Sequence, residues 1–581
     1  MTARDDDVRV RPGRIRNRSG GGPKTFVAQV LRAANKAGGT GQGRGAPRRG
    51  RSSFGRGRIA FSHRRLLASG HRVVIKARIV RGRSRQARAA PLATHMAYLR
   101  REGVTRDGAR AHMFDAESDA ADHAGFAARC TDDRHHFRFI VSPEDAAEMT
   151  DLKAFTRDLV GQMEHDLGTK LDWVAVDHWN TDNPHVHLLV RGVADDGSDL
   201  VIARDYISHG LRSRAEDLVT IELGPKPEHA LRSDLEREVD AERWTRLDVE
   251  IRMATDETGF IDLRPADAGD PQIRRLMIGR LQRLERMGLA TPAGPAQWMV
   301  GLEAERTLRD LGVRGDIIKT MHRAFLARGQ ERALGDYVIE AGDGGSPIIG
   351  RLVDTGLHDE LTGAAYAVID ATDGRAHHVR LPGVAAFAHA PPAGGIVELR
   401  RLGNPDDQRP TLVLAARSDL DLPAQVTAPG ATWLDHRLVA REPAPLAMGG
   451  FGAEVRSAME ARTDHLVAEG LARRQGQLIL FARNLLETLR RRELEAAGAR
   501  LAAETGLPHV PVATDERVAG VYRQRISLSS GRFAMIDDGL GFSLVPWSPS
   551  LERRLGRQVS GIARADGGID WSFGRRRGLG L

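Results

Sequence analysis

The sequence predicts a multidomain α/β (α+β) chain whose first folded domain is built on an antiparallel central sheet with flanking helices. Three observations predict it. The chain has 581 residues and is 41% apolar, enough for several folded units at roughly 150 residues each. Trp173–His178 alternates apolar and polar residues, Asn180–Pro184 is dense in turn formers, and His185–Arg191 is a second β-rich run ending at Gly192. Further on, Ile348–Leu414 alternates short β-rich runs with Gly and Pro turns, the pattern of a small β-barrel-like module.

Composition removes several function classes. The single cysteine, Cys130, excludes an internal disulfide framework and a cysteine-cluster metal site. No apolar run approaches the ~18 residues needed to span a membrane, and the start of the chain lacks a signal-peptide core. Charge is uneven: residues 1–90 hold 24 Lys and Arg against 3 Asp, a net +21, while the whole chain is +9. A basic arm on a body of net −12 suits phosphate backbones; a solvated tail without a partner is the plainer reading.

In chain order, residues 1–60 read as a disordered Arg- and Gly-rich arm, with a helical turn around Phe26–Ala34. His71–Val80 is strand-like and opens the folded domain expected over 61–255. Met96, Tyr98 and Leu99 fit a short helix ended by Gly103. His136–Val141 is a strand. Ser142 and Pro143 have the composition of an N-cap and first turn, predicting a helix over Pro143–Leu167. Strand, helix, strand, strand follow in order.

In the second strand of the Trp173–Arg191 unit, His185 and His187 are two apart and leave one face of the sheet. His178 ends the partner strand and can reach that face. Three converging imidazoles can hold a metal and leave room for a substrate oxygen. An H-x-H pair also arises by chance in a chain with 21 His, so spacing alone leaves both readings open.

The full pattern H-x-N-x-x-x-x-H-x-H, His178 to His187, resembles the metal motif of the HUH relaxases, the conjugative mobilisation nucleases. The likeness is to the branch that contains the T-DNA border endonuclease. That branch carries an acidic residue where this chain has Asn180, so the third ligand stays open between His178 and Asp182. Upstream, Tyr98 stands in H-x-x-Y-L-x-R-E-G-V, similar to the subfamily's first motif, and the resemblance makes it the nucleophile. A tyrosine in a short helix is otherwise an anchoring aromatic. Tyr206, in an R-D-Y-I run the subfamily shares, is the second choice, though a structural role fits it better. The resemblance implies an HUH palm, with strand-specific nicking of single-stranded transfer-origin DNA and a 5′-phosphotyrosyl intermediate. It also implies a type IV secretion coupling protein and accessory relaxosome proteins as partners. The expected compartment is the bacterial cytoplasm, with passage to the recipient on DNA.

Asp177 or Asp182 is expected as general base or histidine-orienting carboxylate. Arg134, Arg138, Arg204, Arg212 and Arg214 are the expected DNA-contacting cations. Three nitrogen ligands suit Zn, Mn or Ni on affinity, whereas the resemblance implies Mg or Mn. Downstream, Pro271–Gly288 is amphipathic and leads into a turn and strand, a winged-helix-like module over 256–345. A β-rich module over 346–420 and a mixed α/β region over 421–581 complete the chain. In that region Glu454–Ala503 reads as helical with Leu480, Leu485, Leu486 and Leu489 as core, followed by a meander turned at Asp538-Gly539. It resembles the subfamily's uncharacterised C-terminal region. Two other functions stay open: a mobilisation accessory protein that binds DNA without catalysis, and a metal-dependent hydrolase that uses water.

Overall fold

A computed structural model describes residues 70–81, 85–101, 104–179, 183–265, 270–339, 347–402, 411–476, 478–564 and 567–572. The basic arm, Gly103 and Asp182 lie outside the described residues.

Four antiparallel strands form the first sheet in the order β1-β2-β4-β3: β1 (Val73–Arg81), β2 (His135–Pro143), β3 (Trp173–His178) and β4 (His185–Arg191). Helices cover both faces, so alternate residues of the central strands enter two different cores. Phe137, Phe139, Trp173, Ala175, Val186 and Leu188 pack beneath α3 (Leu152–Leu167) and α4 (Leu211–Leu223). Val174, Val176 and Leu189 face α1 (Arg85–Leu99) and α2 (His123–Arg129), meeting Leu92, Met96, Leu99 and Phe126.

The expected start of the helix at Pro143 is not what forms. Strand β2 runs on through Pro143, which pairs with Val73, and the Glu144 N–H donates to the Arg72 carbonyl at 2.8 Å. The helix starts instead at Leu152, where Asp151 caps Lys153 N–H. Sheet pairing overrides a local cap signal here.

Helices α5 (Glu228–Val239) and α6 (Arg246–Ala254) do not pack into the core of the first sheet. Their Leu235, Leu247 and Ile251 pack with Ile273, Met277 and Leu281 of α7 (Pro271–Arg286). A three-stranded sheet of β5 (Phe260–Asp262), β6 (Ala290–Gly294) and β7 (Gln297–Val300) lies beside them, and α8 (Ala304–Leu326) follows. The expected barrel-like module is a six-stranded sheet, β13-β12-β9-β10-β11-β8. Its members are β8 (Tyr337–Ile339), β9 (Ile348–Asp359), β10 (Ala364–Ala371), β11 (Ala376–Leu381), β12 (Ile396–Leu402) and β13 (Thr411–Ser418). The outermost strands, β13 and β8, do not pair with each other, so this is an open sheet.

The C-terminal region repeats the preceding helical unit. Short helices α9 (Leu422–Thr427) and α10 (Trp433–Leu438) lead into α11 (Gly450–Ala468), a hairpin β14–β15 (Ala472–Gln475, Leu478–Phe481) and α12 (Leu485–Thr505). Arg280 in α7 and Arg462 in α11 are both fully buried. Arg280 pairs with Asp248 at 2.8 Å and donates to the carbonyls of Val239, Ala241 and Arg243. Arg462 pairs with Asp435 at 2.8 Å and donates to those of Val426, Ala428 and Gly430. Asp248 and Asp435 each complete a capping box, with Thr245 and Thr432. The sequences match as well: R-x-x-x-L-x-x-x-G-L-A runs from Arg280 to Ala290 and again from Arg462 to Ala472. Gly288 and Gly470 both adopt the left-handed conformation that ends such a helix (φ 73 and 70).

The continuous helix expected over Glu454–Ala503 is therefore two helices separated by a hairpin, and Leu480 is an exposed strand residue rather than core. A five-stranded antiparallel sheet ends the described chain: β16 (Arg517–Leu528), β17 (Gly531–Asp537), β18 (Phe542–Pro546), β19 (Gln558–Ala563) and β20 (Ile569–Ser572). The turn expected at Asp538-Gly539 joins β17 to β18. Among the described residues no helix is long and apolar enough to cross a membrane.

Candidate metal centre

The period of two puts His178 on the α1 face of β3, and His185 and His187 on the same face of β4. His178 pairs across with His185, and His187 with Val176, so the three rings meet at one end of the sheet. Ring centroids are 4.5 Å apart for His178–His187, 4.9 Å for His185–His187 and 5.5 Å for His178–His185. All three rings are buried.

Backbone carbonyls fix two of the rings. His178 Nε2 lies 2.8 Å from the Leu99 carbonyl, which can only accept, so Nε2 carries the proton and Nδ1 the lone pair. That Nδ1 is buried and has no hydrogen-bond partner. His185 Nδ1 donates to the Asn183 carbonyl at 2.9 Å, which turns Nε2 toward His187 Nε2 at 3.1 Å. A carboxylate arrives from far along the chain: Glu360 Oε2 is 3.1 Å from His185 Nε2 and 3.3 Å from His187 Nε2. One donor atom from each of the four residues lies within 4.8 Å of the others.

Charges follow from this crowding. Burial, then the neighbouring His187, push His178 down to about 2. Burial also holds His187 below the ordinary imidazole range, against the pull of Glu360. Burial opposes charge on His185 too, but Glu360 outweighs it and raises that pKa. Partial burial opposes charge on Glu360, yet its bonds to His185 and His187 hold it far below the usual carboxylate range. An anionic oxygen and imidazole nitrogens are the donor set of a divalent cation, which binds in place of their protons. A tetrahedral centre with bonds of 2.0–2.1 Å has ligand–ligand edges of about 3.3 Å, close to the three separations above. The partnerless Nδ1 of His178 is a lone pair that a cation would satisfy. The residues present fit the ion.

Tyr98 reaches the centre through its own helix. Leu99, the next residue, supplies the carbonyl that orients His178. The Tyr98 ring is half-buried, with Arg101 4.4 Å over its face and Phe387 edge-on at 6.3 Å. Tyr98, Arg101, Asp354 and Glu360 share the lining of one cavity of ≈ 730 Å³. Burial raises the Tyr98 phenol above its ordinary value, while Arg101 and a backbone hydrogen bond with Leu357 pull the other way.

The other expected residues divide. Arg138 is buried on the histidine face, donates to His136 Nε2 at 3.2 Å and reaches the Leu361 carbonyl at 3.5 Å; burial and Arg78 lower it to about 10. Arg134 is exposed and paired with Asp199, Arg214 is paired with Asp166, and Arg204 and Arg212 are exposed; none of these four belongs to the cluster. Tyr206 is buried and donates to Asp166 at 3.0 Å beside Arg214, away from the histidine cluster. Asp177 does not orient a histidine. Alternation turns it to the opposite face, where it accepts from Trp179 Nε1 at 2.6 Å. Of the two expected third ligands, His178 is in the cluster. Sequence reasoning missed Glu360, and also His95, which is one turn before Tyr98 and is held well below the ordinary range by burial and Arg138.

Residues 277–411 and 401–580 match the family described as Protein of unknown function (DUF3363), just over half of the chain, and the chain belongs to that family. No curated protein and no solved structure matches it. The family region contains Glu360, both buried Arg–Asp pairs except Asp248, and every strand from β6 onward.

Proposed function

We propose that this chain is a relaxase, a site- and strand-specific DNA endonuclease and transesterase that nicks one strand at the transfer origin of a plasmid or mobile element for conjugation. The observation that carries the reading is the convergence of His178, His185 and His187, one with an unpartnered buried lone pair, on an end of the sheet tied by Leu99 to the helix bearing Tyr98. A divalent ion held by these histidines, Mg or Mn by the resemblance, would polarise the phosphodiester and offset charge building on it.

The protein's own part is positioning. Tyr98 Oη attacks phosphorus as the phenolate, the Tyr–O–P bond forms, the P–O3′ bond breaks, and the DNA leaves with a 3′-hydroxyl and a 5′-phosphotyrosyl end. Arg101 over the ring and the Leu357 backbone favour the phenolate that burial disfavours. Asp354, which accepts from the Tyr366 hydroxyl at 2.7 Å, lines the same cavity and is the carboxylate we assign to take up the phenol proton. The likeness of the four-stranded antiparallel sheet to an HUH palm belongs to the same reading. So does a winged-helix-like role on duplex DNA for α7 and the β6–β7 hairpin, with Arg275 and Arg286 exposed on that helix. Its partners are the single-stranded transfer origin, accessory relaxosome proteins and a type IV secretion coupling protein.

The test is a labelled single-stranded transfer-origin oligonucleotide incubated with the full chain and Mn or Mg, then resolved under denaturing conditions. Label on the protein, lost in Tyr98→Phe and in His185→Ala, is the expected result. Cleavage without protein-bound label would make the centre a water-using hydrolase. Binding with neither would leave a non-catalytic accessory protein.

A further inference from the structure

We propose that the metal centre is composite: the DUF3363 region supplies its fourth ligand, Glu360, at the tip of the β9–β10 hairpin. The proposal rests on the metal reading of the three histidines. Glu360 follows the last residue of β9, and the chain turns back through Gly363 (φ 75), so the carboxylate projects from the hairpin end. It is half-buried against the relaxase half, with its side chain 23% exposed. The tip is held there by more than one contact. The Leu361 carbonyl accepts from Arg138 at 3.5 Å, and Leu357 of the same strand packs on the α1 core.

The geometry separates a ligand from an ordinary surface ion pair. Glu360 Oε2 lies at similar distances from two imidazole nitrogens, 3.1 and 3.3 Å, and those nitrogens are 3.1 Å from each other. The near-equal distances place Glu360 Oε2 between the two rings rather than on one of them. Three donors on a triangle of this edge length, with His178 as the fourth, are the ligand shell of one small cation. The consequence is a centre with no donor position left over when the halves are docked, so a phosphate oxygen must either displace Glu360 or enlarge the coordination number.

Cobalt(II) titration of the full metal-free chain, read in the visible spectrum, tests this, with Glu360→Gln, Glu360→Asp and His187→Ala as variants. Glu360→Gln should bind at least ~10-fold more weakly, since even partners outside the ligand shell are worth that much, and its band should shift in position and intensity. Glu360→Asp should recover part of the affinity, and His187→Ala should lose more than either. A Glu360→Gln titration and spectrum like the parent's, with His187→Ala impaired, would overturn the fourth ligand and leave the histidine centre standing. No cobalt uptake by the parent chain would overturn both. Equal losses in the Gln and Asp variants together with a lowered metal-free Tm would assign the effect to hairpin docking, and would also overturn the proposal.

Discussion

Replacing Asp248 by Ala removes the carboxylate from a guanidinium that has no exposure at all. Arg280 keeps its three carbonyl acceptors but loses two charge-assisted bonds of 2.8 Å, and the cation stays buried. Breaking such a pair from one side costs about 3–5 kcal/mol. Thr245 loses its reciprocal cap, worth about 1 kcal/mol more. The expected loss is therefore about 4–6 kcal/mol, localised to α5, α6 and α7. A single unfolding temperature is poorly defined for a chain of several units, so the assay is native-state hydrogen exchange resolved by peptide. Peptides over α7 should open more readily by that amount while those over α11 hold. Asp435→Ala should do the converse, and the double replacement Asp248→Leu with Arg280→Met should restore most of the loss by removing the stranded charge. A change below ~0.5 kcal/mol over α7 would refute the reasoning, since that is the range of ordinary surface substitutions.

Other outcomes follow from the same geometry. Tyr206→Phe should leave adduct formation within twofold of the parent and cost about 1 kcal/mol of stability through its lost bond to Asp166, measured by gel and by local exchange. A lost adduct would instead make Tyr206 the nucleophile. The reactive form of Tyr98 is the phenolate, and burial raises its pKa, so the reactive fraction is small at neutral pH and grows with pH. Single-turnover cleavage at saturating Mn should accordingly rise about tenfold per pH unit from about 7.5 to 9; a flat profile would remove phenolate formation from the limiting step. His178→Ala should weaken metal binding at least ~10-fold in the cobalt titration, and unchanged affinity would exclude Nδ1 as a donor.

The histidine face was legible because a strand has a period of two and all three residues lie within one hairpin. Tyr98 was legible only through its motif, as helical spacing says nothing about a cavity. Glu360 was not legible. Its D-E-L-T-G setting reads as a turn and nothing more, and what makes it a donor is docking between segments far apart in sequence. The Ser142-Pro143 signal misled because a cap is worth about 1 kcal/mol and a full strand pairing with β1 outweighs it. The repeated R-x-x-x-L-x-x-x-G-L-A was present in the sequence and passed over. Arginine at an apolar position reads as surface until a partner acid is known, and each acid precedes its arginine by 27 or 32 residues.

The distance along the chain from His187 to Glu360 also has a meaning in time. The last strand of the four-stranded sheet ends at Arg191, and the hairpin tip follows 173 residues after His187. At ~5–20 residues per second, translation separates the two by roughly 10–35 s. For that interval the nascent chain carries a three-histidine site with no carboxylate over it. The open form of the centre is therefore a stage that every molecule passes through before its second half has been synthesised.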